Sequence, residues 1–230
     1  MKRVGLIGGL SWVSTRLYYD AINRAVAARL GGAHSASLLI DSLDFAPVTQ
    51  AQADGRWHDA GAAIADSARR LAAAGADALA IASNTMHKCA DAVTAASPLP
   101  LIHIVDALGD ALLVDGRSSP LLLGTRFTME QDFVRAPLDA MGLRTLIPAV
   151  DARATVDRII YDELIKGIVR ADSRDAYLAI IRDGAAAGAD CVILGCTEIG
   201  MLVDAGNAPL PPYDTMAIHS RAIVDFMLGG

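Results

Sequence analysis

A six-residue sequence, Ala-Ala-Ala-Gly-Ala-Asp, occurs twice in this chain of 230 residues, ending at Asp77 and again at Asp190. Each copy leads into a short apolar segment that stops at a polar residue six positions after the aspartate. That residue is Ser83 in the first copy and Cys196 in the second. The repeat therefore predicts two equivalent strands, one ending in a hydroxyl and the other in a thiol, and it favours two lobes over one large core.

Short aliphatic segments alternate with longer amphipathic ones along the whole chain, which is typical of parallel sheets flanked by helices. The fold class is predicted as α/β, with two pseudo-symmetric lobes that each contain a parallel sheet flanked by helices. The expected strands are 3–7, 36–40, 78–82, 101–102, 121–123, 145–147, 191–195 and 210–211. The expected helices are 14–29, 57–74, 86–96, 105–114, 129–141, 154–168, 173–187 and 215–228.

Prolines mark the expected passages between the lobes. Pro98 and Pro100 predict the first passage, and Pro209, Pro211 and Pro212 predict the return. Lobe one is thus expected to contain residues 1–98 plus 210–230, with residues 99–209 inserted as lobe two. Because ligands bind beyond the carboxyl ends of parallel strands, we expect the active site in the cleft between the lobes.

Composition excludes several classes of protein. The net charge is −6, so the chain has no basic field to hold nucleic acid or an anionic membrane surface. No apolar run approaches the roughly 18 residues of a membrane-spanning helix, and the N-terminal apolar segment is too short for a signal peptide and predicts a first strand. The three cysteines are odd in number and lie in apolar or helical patterns, which favours reduced thiols and a cytoplasmic location.

Ser83 and Cys196 could supply the two groups that proton abstraction next to a carboxylate requires. A thiolate is the strongest candidate base here, and a helix N-terminus would lower the pKa of its thiol below about 8.5. A serine hydroxyl is a poorer base but can donate a proton. An equally simple interpretation makes Cys196 a buried structural thiol and Ser83 a helix cap. The residues alone leave both interpretations open.

Further polar residues flank these two positions. Asn84, Thr85, Thr197 and Glu198 could cradle a carboxylate at helix starts, or they could cap those helices. Glu198 could also steer a substrate ammonium group or interact with the helix dipole. His87 follows Ser83 by four residues and could tune proton transfer or lie satisfied in the core.

The motifs that hold cofactors are missing. Gly8-Gly9-Leu10-Ser11-Trp12 follows the first strand, but it has neither the G-x-G-x-x-G spacing of a dinucleotide site nor a P-loop. The histidines lack a metal-ligand spacing, and no lysine lies in a motif that indicates a pyridoxal Schiff base. Lys166 fits a solvated helix charge as well as a site residue. We therefore expect no cofactor and no metal.

Several motifs resemble those of the aspartate/glutamate racemase family. The opening Gly8-Gly9-Leu10-Ser11-Trp12 with Ser14-Thr15, Tyr18-Tyr19 and Ile22-Asn23 is similar to that family's first motif. Ser83-Asn84-Thr85-Met86-His87-Lys88 and Gly195-Cys196-Thr197-Glu198-Ile199 resemble its two catalytic segments. Gly124-Thr125-Arg126-Phe127-Thr128-Met129 and Asp214-Thr215 with His219 also match, so the resemblance spans nearly the whole chain.

The resemblance implies a homodimeric, cofactor-independent racemase of a small acidic amino acid. Members of that family use two cysteines on opposite faces of Cα, and here the first of them is replaced by Ser83. This is similar to the branch specific for L-aspartate and L-glutamate, in which a hydroxyl residue stands at that position. Cys196 is then implied to take the proton from the L-amino acid and the Ser83 side to return it. The substrate-binding positions implied are Leu10, Gln52, Asn84, Thr85, Thr197 and Glu198.

Departures from the family pattern keep other functions open. Val13 replaces a glutamate and Leu10 a methionine in the opening motif, which puts side-chain selectivity in question. A single thiol also resembles the arylmalonate decarboxylases, so a decarboxylase or isomerase of small dicarboxylates that uses Cys196 is an alternative. Those relatives lack the run from Asn84 to Lys88. A binding protein that has lost half of the chemistry with the first cysteine is a third possibility.

Overall fold

The computed structural model describes residues 1–229, and the chain forms two compact units. The first unit comprises residues 1–104 and the chain from His219 onward, and the second comprises Val105–Ile218. The predicted boundaries lay at residues 98 and 209, and the division into these units falls after residues 104 and 218. Leu101–Ile102 pairs with a strand of the first unit, and Pro212–Asp214 pairs with a strand of the second, so the prolines precede the passages that they were expected to mark.

The first unit is built on a four-stranded parallel sheet whose order is β2-β1-β3-β4. Its strands are β1 (Val4–Gly8), β2 (Leu38–Ser42), β3 (Ala78–Ile81) and β4 (Leu101–Ile102). The central strands β1 and β3 are buried along their whole length, which explains why they are continuous apolar runs and not alternating ones.

Helices pack on the sheet of the first unit. They are α1 (Trp12–Leu30), α2 (Phe45–Ala53), α3 (Trp57–Ala73) and α4 (Ala90–Ala96), the last preceded by a 3-10 helix at Thr85–Cys89. Ile64, Ala68 and Leu71 form the buried stripe of α3 and join Ile7 and Leu79 in one core cluster. Their spacing of three and four residues places them on one helix face.

The second unit contains a three-stranded parallel sheet of order β5-β6-β7. Its elements are α5 (Ile104–Val114), β5 (Pro120–Gly124), α6 (Arg126–Glu130), α7 (Asp132–Ala140), α8 (Val150–Asp162), α9 (Ala171–Ala186), β6 (Cys191–Gly195), β7 (Pro212–Asp214) and the start of α10 (Thr215–Leu228). Short 3-10 helices lie at Leu164–Lys166 and Ile199–Met201. Strands β5 and β6 are fully buried, so the α/β class with two parallel sheets flanked by helices is confirmed.

The six-residue repeat forms the same helix-to-strand connection in both units. Gly75 and Gly188 end α3 and α9 with φ of +87° and +95°, a conformation that favours glycine because it lacks a Cβ. Asp77 then accepts the backbone N–H of Arg3 at 2.6 Å, just before β1. Asp190 accepts the backbone N–H of Ser119 at 3.1 Å, just before β5. Each copy thus turns a helix into a strand and ties that strand to its neighbour.

Three local predictions differ from the structure. The expected strand at 145–147 is reduced to one parallel bridge between Leu146 and Leu121. The expected helix at 129–141 is two helices, since Gln131 adopts an extended conformation between them. The unexpected helix α2 contains Pro47 in its first turn, where a missing N–H costs no helical hydrogen bond.

None of the helices within residues 1–229 combines the length and the apolar character that crossing a bilayer requires.

Candidate active site

Cys196 directly follows β6 in the second unit and is 8% exposed. Its thiol donates a hydrogen bond to Oε2 of Glu198 at 3.1 Å, and the hydroxyl of Thr197 donates to the same oxygen at 2.5 Å. The carboxylate of Glu198 is 2% exposed. Its other oxygen, Oε1, has no hydrogen-bond partner among the residues that the structure describes. Oε1 of Glu198 is therefore a buried oxygen near the thiol that could accept a hydrogen bond from a bound molecule.

Burial raises the pKa of the Cys196 thiol, and the negative charge of Glu198 raises it further. The prediction that a helix N-terminus lowers this pKa is wrong. Only a three-residue 3-10 helix, Ile199–Met201, follows the thiol, and a helix this short has little dipole. In the free protein Cys196 is therefore a protonated thiol that donates to a carboxylate.

Two residues of α8 that the sequence analysis missed lie in the electrostatic surroundings of the thiol. Asp157 contributes to raising the pKa of Cys196, and its carboxylate accepts the backbone N–H of Arg126 at 2.6 Å. Burial and the charge of Asp157 raise the pKa of Tyr161. Asp157 and Tyr161 are four residues apart and so share a helix face, but nothing in their sequence spacing relates them to a thiol almost 40 positions away.

Ser83 follows β3 in the first unit and is 9% exposed. Its hydroxyl oxygen accepts the backbone N–H of Met86 at 3.4 Å, and its carbonyl oxygen is 2.7 Å from Nδ1 of His87. Within the described chain, the hydroxyl hydrogen of Ser83 has no acceptor. The hydroxyl can therefore donate a hydrogen bond to a bound molecule.

Two of the residues next to Ser83 and Cys196 do not cap helices with their side chains. Asn84 precedes the 3-10 helix at Thr85–Cys89 and Glu198 precedes the one at Ile199–Met201, and neither makes a side-chain capping bond. The capping interpretation is therefore wrong for these two. Asn84, Thr85 and Thr197 are all less than 10% exposed, which is unusual for polar residues in a turn.

Gln52 and Leu10 lie in the same part of the first unit as the Ser83 turn. Gln52 is 3% exposed, and its amide nitrogen donates to the sulfur of Met86 at 3.1 Å. Its amide oxygen has no hydrogen-bond partner in the described chain. Leu10 shares a core cluster with Met86. The first unit thus brings together the apolar Leu10, the open amide of Gln52 and the Ser83 turn.

The loop between β1 and α1 is held in one conformation. Gly9 has a φ of +74°, and a Cβ there would lie 2.1 Å from the carbonyl oxygen of Leu43, so only glycine fits. Ser11 has a φ of +92°, a strained value for a residue with a Cβ. The hydroxyl of Ser14 then donates to the carbonyl oxygen of Ala82 at 3.3 Å. This bond connects the start of α1 to the residue before Ser83.

The site residues predicted from the sequence fall into two groups. Ser83, Asn84, Thr85, Leu10 and Gln52 belong to the first unit, whereas Cys196, Thr197 and Glu198 belong to the second. Across residues 1–229, no group of three or more histidine, cysteine, aspartate or glutamate side chains has the arrangement of a metal site.

Comparison with protein families matches residues 7–223 to the Asp/Glu/hydantoin racemase model. Solved structures with the same fold include a protein of Yersinia pestis described as a candidate Asp/Glu racemase. It shares 46% sequence identity with this chain, the alignment covers 99% of this chain and 100% of that one, and the TM-score is 0.91.

More distant structures have the same architecture. An aspartate racemase homologue from Pyrococcus horikoshii is 29% identical, with a TM-score of 0.86 and coverage of 99% of this chain and 100% of that one. The glutamate racemase of Francisella tularensis, solved with D-glutamate, is 16% identical, with a TM-score of 0.71 and coverage of 99% and 81%. At that identity the likeness shows the fold alone.

Proposed function

This chain belongs to the Asp/Glu/hydantoin racemase family, and on that basis we propose that it racemises an acidic amino acid, L-aspartate and/or L-glutamate, without pyridoxal phosphate. The relatives named for aspartate and glutamate racemases support this substrate class. The reaction would consist of removing the Cα proton from one face of the substrate and returning a proton to the other.

The observation that carries the proposal is the hydrogen bond from the Cys196 thiol to Oε2 of Glu198. A thiol must lose its proton before it can act as a base. Transfer of that proton to Glu198 yields a thiolate next to a neutral carboxylic acid, so the site never holds two adjacent negative charges. Because both groups are buried, avoiding that charge pair matters more than it would in water.

The proposed proton transfers balance over one turnover. The thiolate of Cys196 takes the Cα proton of the L-amino acid, and the electron pair of the broken C–H bond stays on the substrate carbanion. The hydroxyl on the Ser83 side, directly or through a water molecule, donates a proton to the opposite face and gives the D-enantiomer. A proton from solvent then restores the hydroxyl on the Ser83 side. Cys196 keeps the proton that it took from Cα, and Glu198 releases to solvent the proton that it received from the thiol. A hydroxyl is a far weaker acid than a thiol, so the maximal rates in the two directions should differ, while the equilibrium constant of unity for a racemisation keeps kcat/KM equal in both.

Each unit contains a buried side-chain oxygen that could accept a hydrogen bond from the ammonium group of an amino acid. Oε1 of Glu198 and Oε1 of Gln52 are buried without partners, and a hydrogen bond from a bound ammonium would remove the cost of leaving them unsatisfied. An ammonium at Glu198 would also favour the thiolate form of Cys196. We assign Asn84, Thr85 and Thr197 to the substrate carboxylates and Leu10 to apolar contact with its carbon chain.

The proposal is tested by following deuterium incorporation at Cα and the change of chirality of L-aspartate and L-glutamate in heavy water. Cys196→Ser should abolish both. Cys191→Ser is the matched control, because Cys191 is also a buried thiol of β6 but begins the strand that Cys196 follows. If the wild-type protein neither exchanges nor inverts either amino acid, the substrate assignment fails. If it instead releases carbon dioxide from a substituted malonate, the chain is a decarboxylase.

Substitutions of Ser83 separate a racemase from a binding protein. Ser83→Ala should retain exchange on the Cys196 face while losing inversion, since only the second proton donor is removed. Ser83→Cys should raise the rate in the D-to-L direction, because a thiol can act as base on that face as well. A protein that binds the same ligand but stays inert in both variants is a binding protein.

We also propose that the chain acts as a homodimer in the cytoplasm. The resemblance to dimeric racemases supports the assembly, and the three free cysteines support a reducing compartment. Sedimentation velocity at several protein concentrations tests the dimer, and a monomer at micromolar concentration would contradict it.

A further inference from the structure

The ring of His87 is buried directly beneath the Ser83 turn, at 3% exposure. Nδ1 lies 2.7 Å from the carbonyl oxygen of Ser83, and Nε2 lies 3.3 Å from the backbone nitrogen of Ile104. A carbonyl oxygen can only accept a hydrogen bond and a backbone N–H can only donate one. The two contacts together therefore require a neutral ring with its proton on Nδ1.

The surroundings of His87 favour that neutral form. The ring centroid of His103 is 4.6 Å away and that of His219 is 5.8 Å away, both nearly perpendicular to the His87 ring. Burial, followed by the charges that these two histidines could carry, lowers the pKa of His87. His219 is itself fixed between the hydroxyl of Tyr18 and the carbonyl oxygen of Ile102, at 2.8 Å from each. No acidic side chain is among the groups that shift the pKa of His87.

The bond to His87 is the shortest hydrogen bond that Ser83 makes. The hydroxyl oxygen accepts only the longer bond from Met86, at 3.4 Å, and the preceding carbonyl, that of Ala82, accepts from Ser14 at 3.3 Å. His87 contacts the Ser83 carbonyl and not its hydroxyl, so it does not exchange protons with the group that would react. Its effect on Ser83 must be on the orientation of the turn.

We propose that His87 is a positioning residue that holds the Ser83 turn so that the hydroxyl faces the substrate carbon. Ile104 selects the ring tautomer by donating to Nε2, and Nδ1–H then fixes the Ser83 carbonyl. The inference rests on the proposed function, because it assigns His87 to the half of the reaction in which Ser83 returns the proton. Removal of Cα–H by Cys196 does not depend on it.

Two substitutions of His87 each keep one of its two hydrogen bonds, either the bond to Ser83 or the bond from Ile104. The side-chain amide of Asn can place an N–H near the position of Nδ1 and keep the bond to Ser83. The longer Gln can place its oxygen near the position of Nε2 and keep the bond from Ile104 while losing the one to Ser83. His58→Gln is the control, because the His58 side chain is 97% exposed.

The readout is the ratio of Cα deuterium exchange to inversion of the same L-substrate. His87→Gln should raise this ratio by about tenfold or more, the size expected from losing one hydrogen bond, whereas His87→Asn and His58→Gln should leave it near the wild-type value. A merely structural role would lower exchange and inversion together. If His87→Gln leaves the ratio unchanged, or if His87→Asn changes it as much, the proposal is overturned.

Nitrogen NMR of the wild-type ring tests His87 without relying on activity. We expect a neutral ring with the proton on Nδ1 at pH 7, and a ring protonated on Nε2 or charged would overturn the proposal. If the wild-type chain shows neither exchange nor inversion while the ring has the expected tautomer, the proposed function fails and the assignment of His87 to that reaction fails with it. If activity is present and the tautomer is the other one, only the inference about His87 fails.

Discussion

The sulfur of Cys196 lies 3.1 Å from Oε2 of Glu198, and both side chains are less than 10% exposed. The thiol donates to a carboxylate whose second oxygen has no partner in the described chain. This arrangement keeps the thiol protonated until a proton can pass to Glu198 or a cation can bind beside it. Under the proposed function, the pair would couple the formation of the Cys196 thiolate to the binding of the substrate.

We expect Glu198→Gln to lower the rate of Cα proton exchange by about 100-fold or more, because an amide cannot take the thiol proton. The same substitution should lower the pKa of Cys196 relative to the wild type, since it removes a negative charge next to the thiolate. Exchange kinetics and titration of thiolate absorbance measure the two effects. A rate that rises with the lowered pKa would contradict the role of Glu198 as proton acceptor.

Glu163→Gln is the control for that experiment. Glu163 is also a buried glutamate of the second unit, at 7% exposure, and its Oε2 accepts the hydroxyl of Ser173 at 2.6 Å. It is not among the groups that shift the pKa of Cys196. We expect the titration of the Cys196 thiol to be unchanged in this variant.

Gln52→Ala should raise KM for the acidic amino acid by roughly 10- to 100-fold, which corresponds to one hydrogen bond to a charged group. The reason is that the open amide oxygen of Gln52 is buried and unsatisfied without substrate. Gln50→Ala is the matched control on the same helix, since the Gln50 amide binds Asp54 at the exposed surface. Initial-rate kinetics decide, and equal KM values in the two variants would remove Gln52 from the site.

The stability of the protein should fall as the pH drops from about 6.5 to 4. Burial lowers the pKa of His219 to about 4 in the folded chain, whereas the unfolded chain takes up the proton near 6.5. Between these values only the unfolded state binds that proton, so acid favours unfolding by roughly 3 kcal/mol. Urea unfolding of the wild type and of His219→Gln at several pH values measures this contribution, and an identical pH dependence in both would refute it.

Gly9→Ala should destabilise the protein much more than Gly55→Ala. Both glycines have a φ near +70°, at +74° and +72°, so each substitution carries a backbone cost of about 1 kcal/mol. A Cβ at position 9 would also overlap the backbone of Leu43, whereas nothing lies within 4 Å of one at position 55. Denaturation should show a further loss of about 2 kcal/mol or more for Gly9→Ala. Equal losses would mean that the loop after β1 can move away.

Much of the fold could be predicted from local patterns. Strands β1, β3 and β6 are continuous apolar runs because both faces of each are covered. Proline restricts the backbone but does not indicate which sheet a strand joins, so the prolines alone could not place the boundaries of the units. The pairing of β4 with β3 and of β7 with β6 depends on contacts between distant segments.

The placement of the candidate site residues was only partly predictable. The repeat put Ser83 and Cys196 just after two strands, and the structure has them just after β3 and β6. The expected effect of a helix on the thiol was wrong, because the adjacent segment is a single 3-10 turn next to a carboxylate. Asp157 was missed because its proximity to the thiol arises from the packing of α8 and not from sequence spacing.

The sequence by itself determined the two parallel sheets, the helix-to-strand turns at Gly75 and Gly188, and the unlike residues that follow β3 and β6. These features depend on local preferences: the left-handed backbone of glycine, the period of buried residues and the burial of both strand faces. Only the tertiary structure decided that Cys196 is a protonated thiol and that His87 joins Ser83 to Ile104. Protonation and tautomer depend on burial and on partners brought from distant positions, which no spacing along the chain records.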